Sequence, residues 1–203
     1  MIKVERLHSK HAFAANTYLL SSCGEVAVID PTVAFSDTGL SFPPKYVLLT
    51  HAHFDHILEI NSWKEAGAEV VASVEESISL ADPYRNCYRQ FYGTSDGYFG
   101  KVHTVNDGDT LTLGDSTLSV IQVPGHTAGS LIYTVDSLAF VGDTVFEGGG
   151  YGRWDLPTGN YRELVSSIEK VMTLPEDTLL YPGHGNPTTL LEFKNCYKFK
   201  RIL

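Results

Sequence analysis

Residues 50–56 read Thr50-His51-Ala52-His53-Phe54-Asp55-His56, which places three imidazoles and a carboxylate within six consecutive positions. They follow Tyr46 to Thr50, an apolar and β-branched run that reads as a buried strand. Side chains two apart on an extended strand point to the same side, so His51 and His53 can reach one metal ion together. Asp55 and His56 fall past the strand's end, where a turn can aim them at a second ion beside the first. Further donors stand in similar settings: His126 after Val123-Pro124-Gly125, Asp143 after Phe140-Val141-Gly142, and His184 after Tyr181-Pro182-Gly183. Five of the eight histidines and two aspartates thus sit at strand-end turns. A cluster formed by chance has no reason to follow hydrophobic strands, and the pattern points to a two-metal hydrolytic site.

Gly125, Gly142 and Gly183 each precede a proposed donor, and glycine there permits a tight turn or close backbone approach. His8, His11 and His103 lie outside these settings and read as surface or loop residues. Thr127 and Ser130 read either as hydrogen-bonding partners near His126 or as backbone caps. Arg153 and Asp155 read as an internal ion pair that orders their loop. Cys23, Cys87 and Cys196 are an odd, widely spaced set that implies no disulfide framework, and all three read as buried or incidental thiols.

The elements that must position these donors alternate in kind. Strands are expected at Lys3–Leu7, Thr17–Ser21, Glu25–Ile29, Lys45–Thr50 and Glu69–Ala72, with helices at Asn61–Ala68 and Val74–Ala81. The segment Asp82–Gly100 has no clean period and is expected to lie over the site. Tyr84, Tyr88, Phe91, Tyr92, Tyr98 and Phe99 in it form either an aromatic wall above the metals or ordinary packing. Strands follow at Thr110–Leu113, Ser116–Gln122, Ser130–Thr134, Leu138–Val141 and Thr178–Tyr181. Tyr161–Leu174 is the clearest helix, with Leu164, Ile168, Val171 and Met172 on one face and Asn160 as its N-cap. A helix at Thr188–Tyr197 closes the chain. Two batches of strands, each followed by helices, imply an α+β chain with two sheets packed face to face and helices outside.

The 203 residues suit one domain, residues 1–203, with a sizeable core. A net charge of −9 disfavours a nucleic-acid surface, which needs clustered Lys and Arg. Lys194, Lys198, Lys200 and Arg201 read as an ordinary solvated face. The start, Met1 to Leu7, alternates like a strand and lacks the apolar run of a signal peptide, and no stretch is long enough to cross a bilayer. A cytoplasmic protein acting on a small molecule, with no membrane or nucleic-acid partner, is the expectation.

The pattern His51-x-His53-x-Asp55-His56, then His126, Asp143 and His184, resembles the metallo-β-lactamase superfamily of hydrolases, over nearly the whole chain from Asp30 to Gly185. Pro124-Gly125-His126-Thr127-Ala128-Gly129-Ser130 and Gly152-Arg153-Trp154-Asp155-Leu156-Pro157 are most similar to glyoxalase II and its short single-domain relatives. The resemblance implies a four-layer αβ/βα sandwich with the metals at one rim of the packed sheets. It implies that His51, His53 and His126 bind a first ion, that Asp55, His56 and His184 bind a second, and that Asp143 bridges them. Two divalent ions are implied, zinc first with iron or manganese as alternatives. A hydroxide held between them would be the nucleophile, with Asp55 orienting it and moving its proton.

Asp30 in the family supports a ligand histidine, whereas the residues alone read equally as a turn before Pro31. The implied activity is hydrolysis of a glutathione thioester such as S-D-lactoylglutathione, or of a similar small thioester or ester. A mono-iron persulfide-type oxygenase, a lactonase or a phosphodiesterase on the same fold are the alternatives. Few residues follow His184, so the helical extension that shapes the glutathione pocket of glyoxalase II is expected to be missing.

Overall fold

Short runs with buried residues on both faces build the first sheet of the computed structural model, which describes residues 2–200, with side chains to Tyr197. Its strands are β1 (Lys3–Leu7), β2 (Thr17–Ser22), β3 (Glu25–Ile29), β4 (Tyr46–Leu48), β5 (Glu69–Ala72) and β6 (His103–Thr104), in that spatial order. β1, β2 and β3 pair antiparallel, and β3 to β6 run parallel. Parallel neighbours need crossovers. Helices α1 (Ile60–Glu65) and α2 (Val74–Leu80) and the short α3 (Tyr88–Phe91) lie in these crossovers.

The second sheet contains β7 (Thr110–Leu113), β8 (Ser116–Gln122), β9 (Leu131–Val135) and β10 (Leu138–Gly142). A separate hairpin, β11 (Val145–Phe146) with β12 (Gly150–Tyr151), follows. Helix α4 (Tyr161–Val171) then leads to β13 (Leu179–Pro182), β14 (Thr188–Thr189) and helix α5 (Leu190–Lys200). The sheet order is β14-β13-β10-β9-β8-β7, and only β10 and β13 pair parallel.

The alternation along each strand divides the interior into three cores. Tyr18, Leu20, Ile29, Leu48 and Val71 of the first sheet meet Leu113, Leu118, Leu131, Tyr133 and Phe140 of the second. Their alternate neighbours Leu19, Val28, Val47 and Val70 face outward onto Ile60, Trp63 and Leu80. On the far side Ile132, Ala139, Val141 and Leu180 face Leu164, Ile168 and Phe193 of α4 and α5. The result is helix, sheet, sheet, helix: the four-layer αβ/βα sandwich. No helix among the described residues is long and apolar enough to cross a membrane.

Several boundaries differ from the sequence expectation. β4 stops at Leu48 rather than Thr50, although Leu49 and Thr50 stay buried. A buried apolar run reads the same whether it is strand or interior loop. The hairpin β11–β12 and the two-residue strands β6 and β14 are too short to register as patterns, and Thr188–Thr189 is strand rather than helix. Asn160 caps α4 as expected, accepting from the amides of Arg162 (3.0 Å) and Glu163 (3.3 Å). Lys194 pairs with Glu176 at 3.3 Å; the side chains of Lys198 and Lys200, and all of Arg201, lie outside the described residues.

Candidate metal centre

The first donors lie beyond β4. His51 and His53 occupy an irregular buried stretch rather than the strand itself, with His53 extended, and Asp55 and His56 sit in the 3₁₀ turn Phe54–His56. His126 comes from the loop between β8 and β9, Asp143 follows the end of β10, and His184 follows β13. All seven therefore gather at one rim, where the ends of β4, β8, β10 and β13 meet.

Donor atoms within 4.8 Å of one another form three sets: His51, His53 and His126; His51, His56 and Asp143; and Asp55, His56 and His184. In the first, His126 Nε2 lies 3.0 Å from His53 Nδ1 and 3.2 Å from His51 Nε2. Imidazoles sharing an ion at ~2.0–2.1 Å in a tetrahedral shell hold their nitrogens about 3.4 Å apart, close to this spacing. Asp143 stands between the groups. Its Oδ1 is 3.4 Å from His56 Nε2, and its Oδ2 is 3.7 Å from His126 Nε2 and 3.6 Å from His184 Nε2. His53 Nε2, His56 Nε2 and Asp143 Oδ1 are buried without a hydrogen-bond partner. Such orphaned groups are costly, and a cation answers the last two together, since they face one another. The residues fit two ions.

Electrostatics separates the donors. Burial, with the neighbouring His126, lowers His53 to about 3, and burial with His56 and His126 holds His51 well below the usual imidazole range. Both are neutral lone-pair donors. Burial opposes charge on His56 as well, but the carboxylates of Asp30 and Asp143 outweigh it and raise its pKa. Burial likewise works against the Asp143 carboxylate, and His56, His126 and His184 overcome it, so Asp143 stays ionised. Burial opposes Asp55 too, and its hydrogen bond with His184 wins, so that carboxylate is held below its ordinary value.

Outer partners fix which nitrogen faces inward for the His51, His56 and His126 rings. His56 Nδ1 donates to Asp30 Oδ2 at 2.8 Å, and His126 Nδ1 donates to the Arg153 carbonyl at 2.6 Å. His51 Nδ1 lies 3.2 Å from Thr50 Oγ1, whose hydroxyl donates to Asp30 Oδ2 at 2.6 Å. Asp30 Oδ1 accepts from the Thr50 amide at 2.8 Å. Buried Asp30 thus holds the His51 and His56 side of the site together, from a left-handed backbone (φ 50°) just past β3. Its turn-forming and supporting roles coincide.

Two glycines keep the rim open. A Cβ on Gly142, at φ +49°, would stand 2.5 Å from Thr50 Oγ1. One on Gly183 would collide with Asp143 Oδ1 and stand 2.6 Å from His56 Cε1, directly among the donors. Gly183→Ala is therefore expected to displace Asp143 or His56 and lower metal affinity at least ~10-fold, as a lost supporting contact does. Calorimetric titration of the metal-free variant with zinc checks this, and wild-type affinity would show that the loop yields without cost.

Glu76, in the first turn of α2, has no local pattern that singles it out. It is buried; Oε2 accepts from the Ala52 amide at 2.8 Å and Oε1 from the Gly129 amide at 3.0 Å. It also accepts from the Thr127 side chain, which meets Ser130 Oγ at 2.6 Å. One carboxylate thus ties the His51–His53 loop to the His126 loop. Glu76→Gln would turn one acceptor into a donor facing a buried N–H. The expected loss is about 1–3 kcal/mol of unfolding free energy in urea, with weaker zinc binding; an unchanged midpoint would remove Glu76 from this role.

The remaining expectations divide. Arg153 and Asp155 form a paired fork, with both nitrogen–oxygen distances 2.8 Å. His11 and His103 pair with Glu59 and Glu69 away from the donors. Cys87 is buried, with its thiol pushed up to about 11 by burial, and it lines the cavity above the donors; Cys23 and Cys196 are exposed. Of the six aromatic residues in 82–100, only Phe91 and Tyr92 line that cavity. Tyr98 is core, donating to the Lys101 carbonyl, and Tyr88 packs behind Phe54. Tyr84 and Phe99 are exposed elsewhere.

Residues 12–184 match the model of the metallo-beta-lactamase superfamily, which covers all seven donors. The chain belongs to that superfamily. It is 36% identical over 188 residues, 87% of this chain and 88% of the relative, to the probable metallo-hydrolase YqgX of Bacillus subtilis. It is 32% identical to the hydroxyacylglutathione hydrolase GloC of Haemophilus influenzae, over 76% of this chain and 75% of that one. Among solved structures it is similar to BLEG-1 B3 metallo-beta-lactamase, with a TM-score of 0.86 and 30% identity over 98% of this chain and 99% of that one. TTHA1623 in a di-iron-bound form gives a TM-score of 0.79 and 27% identity over 95% and 98%. The superfamily places this chain among metal-dependent hydrolases, whose metals are held by a cluster of histidine and aspartate such as the one described.

Proposed function

We propose that this protein is a binuclear metallohydrolase that cleaves small thioesters or related esters. The observation that carries the reading is the convergence of seven donors in three sets, the middle one, with Asp143, sharing His51 with the first and His56 with the third, and with His56 Nε2 and Asp143 Oδ1 buried and unpartnered. His51, His53 and His126 would hold one ion, Asp55, His56 and His184 the other, and Asp143 would touch both. Two divalent ions there would supply a water acidified from ~15.7 towards ~7 and polarisation of the substrate carbonyl. Zinc suits these nitrogen and oxygen donors, and iron is the alternative raised by the di-iron neighbour.

The chain's own groups divide the remaining work. Asp55, kept ionised by His184, orients the attacking water and accepts its proton. Asp30, Arg153 and Glu76 keep the donor rings and loops from turning. The aromatic residues above the donors exclude bulk water from the reacting carbonyl. The complete Asp55–His56–His184 set favours two ions over the single iron of a persulfide-type oxygenase. The similarity to GloC supports the thioester as the scissile group.

The test is a steady-state comparison of a thioester, a lactone, a β-lactam and a phosphodiester on protein of known metal content. The thioester should give the largest kcat/KM. A phosphodiester leading by tenfold or more would sink the thioesterase reading and leave a metal-dependent hydrolase.

A further inference from the structure

The cavity above the donors, of about 730 Å³, has a wall of unusual character. Phe54, which stands between His53 and Asp55 in the donor loop, is part of its lining. Phe91 packs on Phe54 at 5.1 Å between ring centroids and Tyr92 at 5.2 Å, while the Phe54 amide donates to the Asn86 carbonyl at 2.8 Å. That backbone bond seats the 86–92 segment directly on the donor loop. Phe13, Phe146 and Leu156 complete the apolar wall. Phe13 is 84% exposed, Phe91 53% and Tyr92 49%. Exposed rings that converge on one cavity, rather than scatter singly, mark a binding surface.

The polar complement is sparse. Among the described residues lining the cavity, Arg153 is the one Lys or Arg, and its guanidinium is already engaged through Nε and Nη2 by Asp155. Lys101 does not line the cavity. Glutathione brings two carboxylates and an ammonium, and the chain carries a net charge of −9. Among the described residues, no free Lys or Arg lines the wall to receive two carboxylates.

We propose that the site selects its substrate through an apolar acyl group, an aliphatic chain or aromatic ring attached to the scissile carbonyl, and not through a glutathione leaving group. This rests on the thioester and ester reading above. Water adds to the carbonyl carbon and the carbon–sulfur bond breaks, so the products are a carboxylate and a thiol, with one proton released. The apolar lining offers no partner for the charges of a glutathione leaving group, so we assign that lining to the acyl group.

The experiment compares acetyl, butanoyl, hexanoyl and benzoyl thioesters of N-acetylcysteamine with S-D-lactoylglutathione, on enzyme of measured metal content. Each buried methylene is worth roughly a fourfold gain, so kcat/KM should rise on the order of a hundredfold from acetyl to hexanoyl and exceed that for S-D-lactoylglutathione. Phe91→Ala, a change at a half-exposed ring, should cut the hexanoyl-to-acetyl ratio about tenfold while the thermal midpoint stays in place. A flat chain-length series, or S-D-lactoylglutathione as the best substrate, would overturn the proposal. Calorimetric binding of S-methyl and S-hexyl thioethers of N-acetylcysteamine gives a readout independent of turnover. Tighter binding of the hexyl compound, without turnover of any thioester, would keep the apolar pocket and defeat the thioesterase reading. Equal binding of both would defeat the pocket.

Discussion

Asp143→Ala should lose both ions and with them nearly all hydrolysis. Asp143 is the carboxylate whose two oxygens lie within 3.4–3.7 Å of His56, His126 and His184, so it faces both donor sets at once. Without it, the imidazoles around two cations keep only Asp55 to offset their charge, and repulsion between the ions rises. The fall in kcat/KM should exceed the ~10–100-fold that accompanies loss of an outer supporting partner. The fold should survive, because the three apolar cores are built from strands and helices without the donors. Metal content by elemental analysis, with far-ultraviolet circular dichroism as the check on folding, decides it. Two tightly held ions per folded mutant chain would remove Asp143 from between them.

Asp30→Asn carries the second large effect, and asparagine is the informative change. Both residues tolerate the left-handed backbone found here, whereas alanine would add strain of its own. The amide replaces one acceptor oxygen with a donor, although the Thr50 amide, the Thr50 hydroxyl and His56 Nδ1 all donate to this side chain. At least one buried donor then lacks a partner, at about 1–3 kcal/mol of stability. His56 also loses the partner that fixes its ring, so affinity for the ion it serves should fall ~10–100-fold. Urea unfolding of metal-free protein and zinc competition against a chelator measure the two effects separately. Wild-type zinc affinity in this variant would reduce Asp30 to a turn residue.

What can be read from sequence depends on whether the signal is local. His51, His53, Asp55 and His56 are adjacent, and His126, Asp143 and His184 each follow a glycine after an apolar run, so order and type are enough to expect them. The two sheets and their outer helices are legible from alternating burial, as are the helix of α4 and its Asn160 cap. Glu76 is not, because an acidic residue in the first turn of a helix ordinarily favours the helix dipole. Its partners, Ala52 and Gly129, are far away in sequence and bond through backbone that looks like any other. In residues 82–100 no period distinguishes the rings that face the cavity, Phe91 and Tyr92, from Tyr98, which is core. Phe54 reads as a spacer between donors, and only tertiary packing shows that it supports the aromatic wall.

Under the binuclear proposal, hydrolysis requires two ions rather than one. The direct measurement is hydrolysis of an acyl thioester as zinc is added back in fractions of an equivalent to chelator-stripped protein, with bound metal counted per chain. Activity should climb only as the second equivalent binds and reach its plateau at two ions per chain. Full activity at one equivalent, or in protein stripped of metal, would overturn the two-ion site.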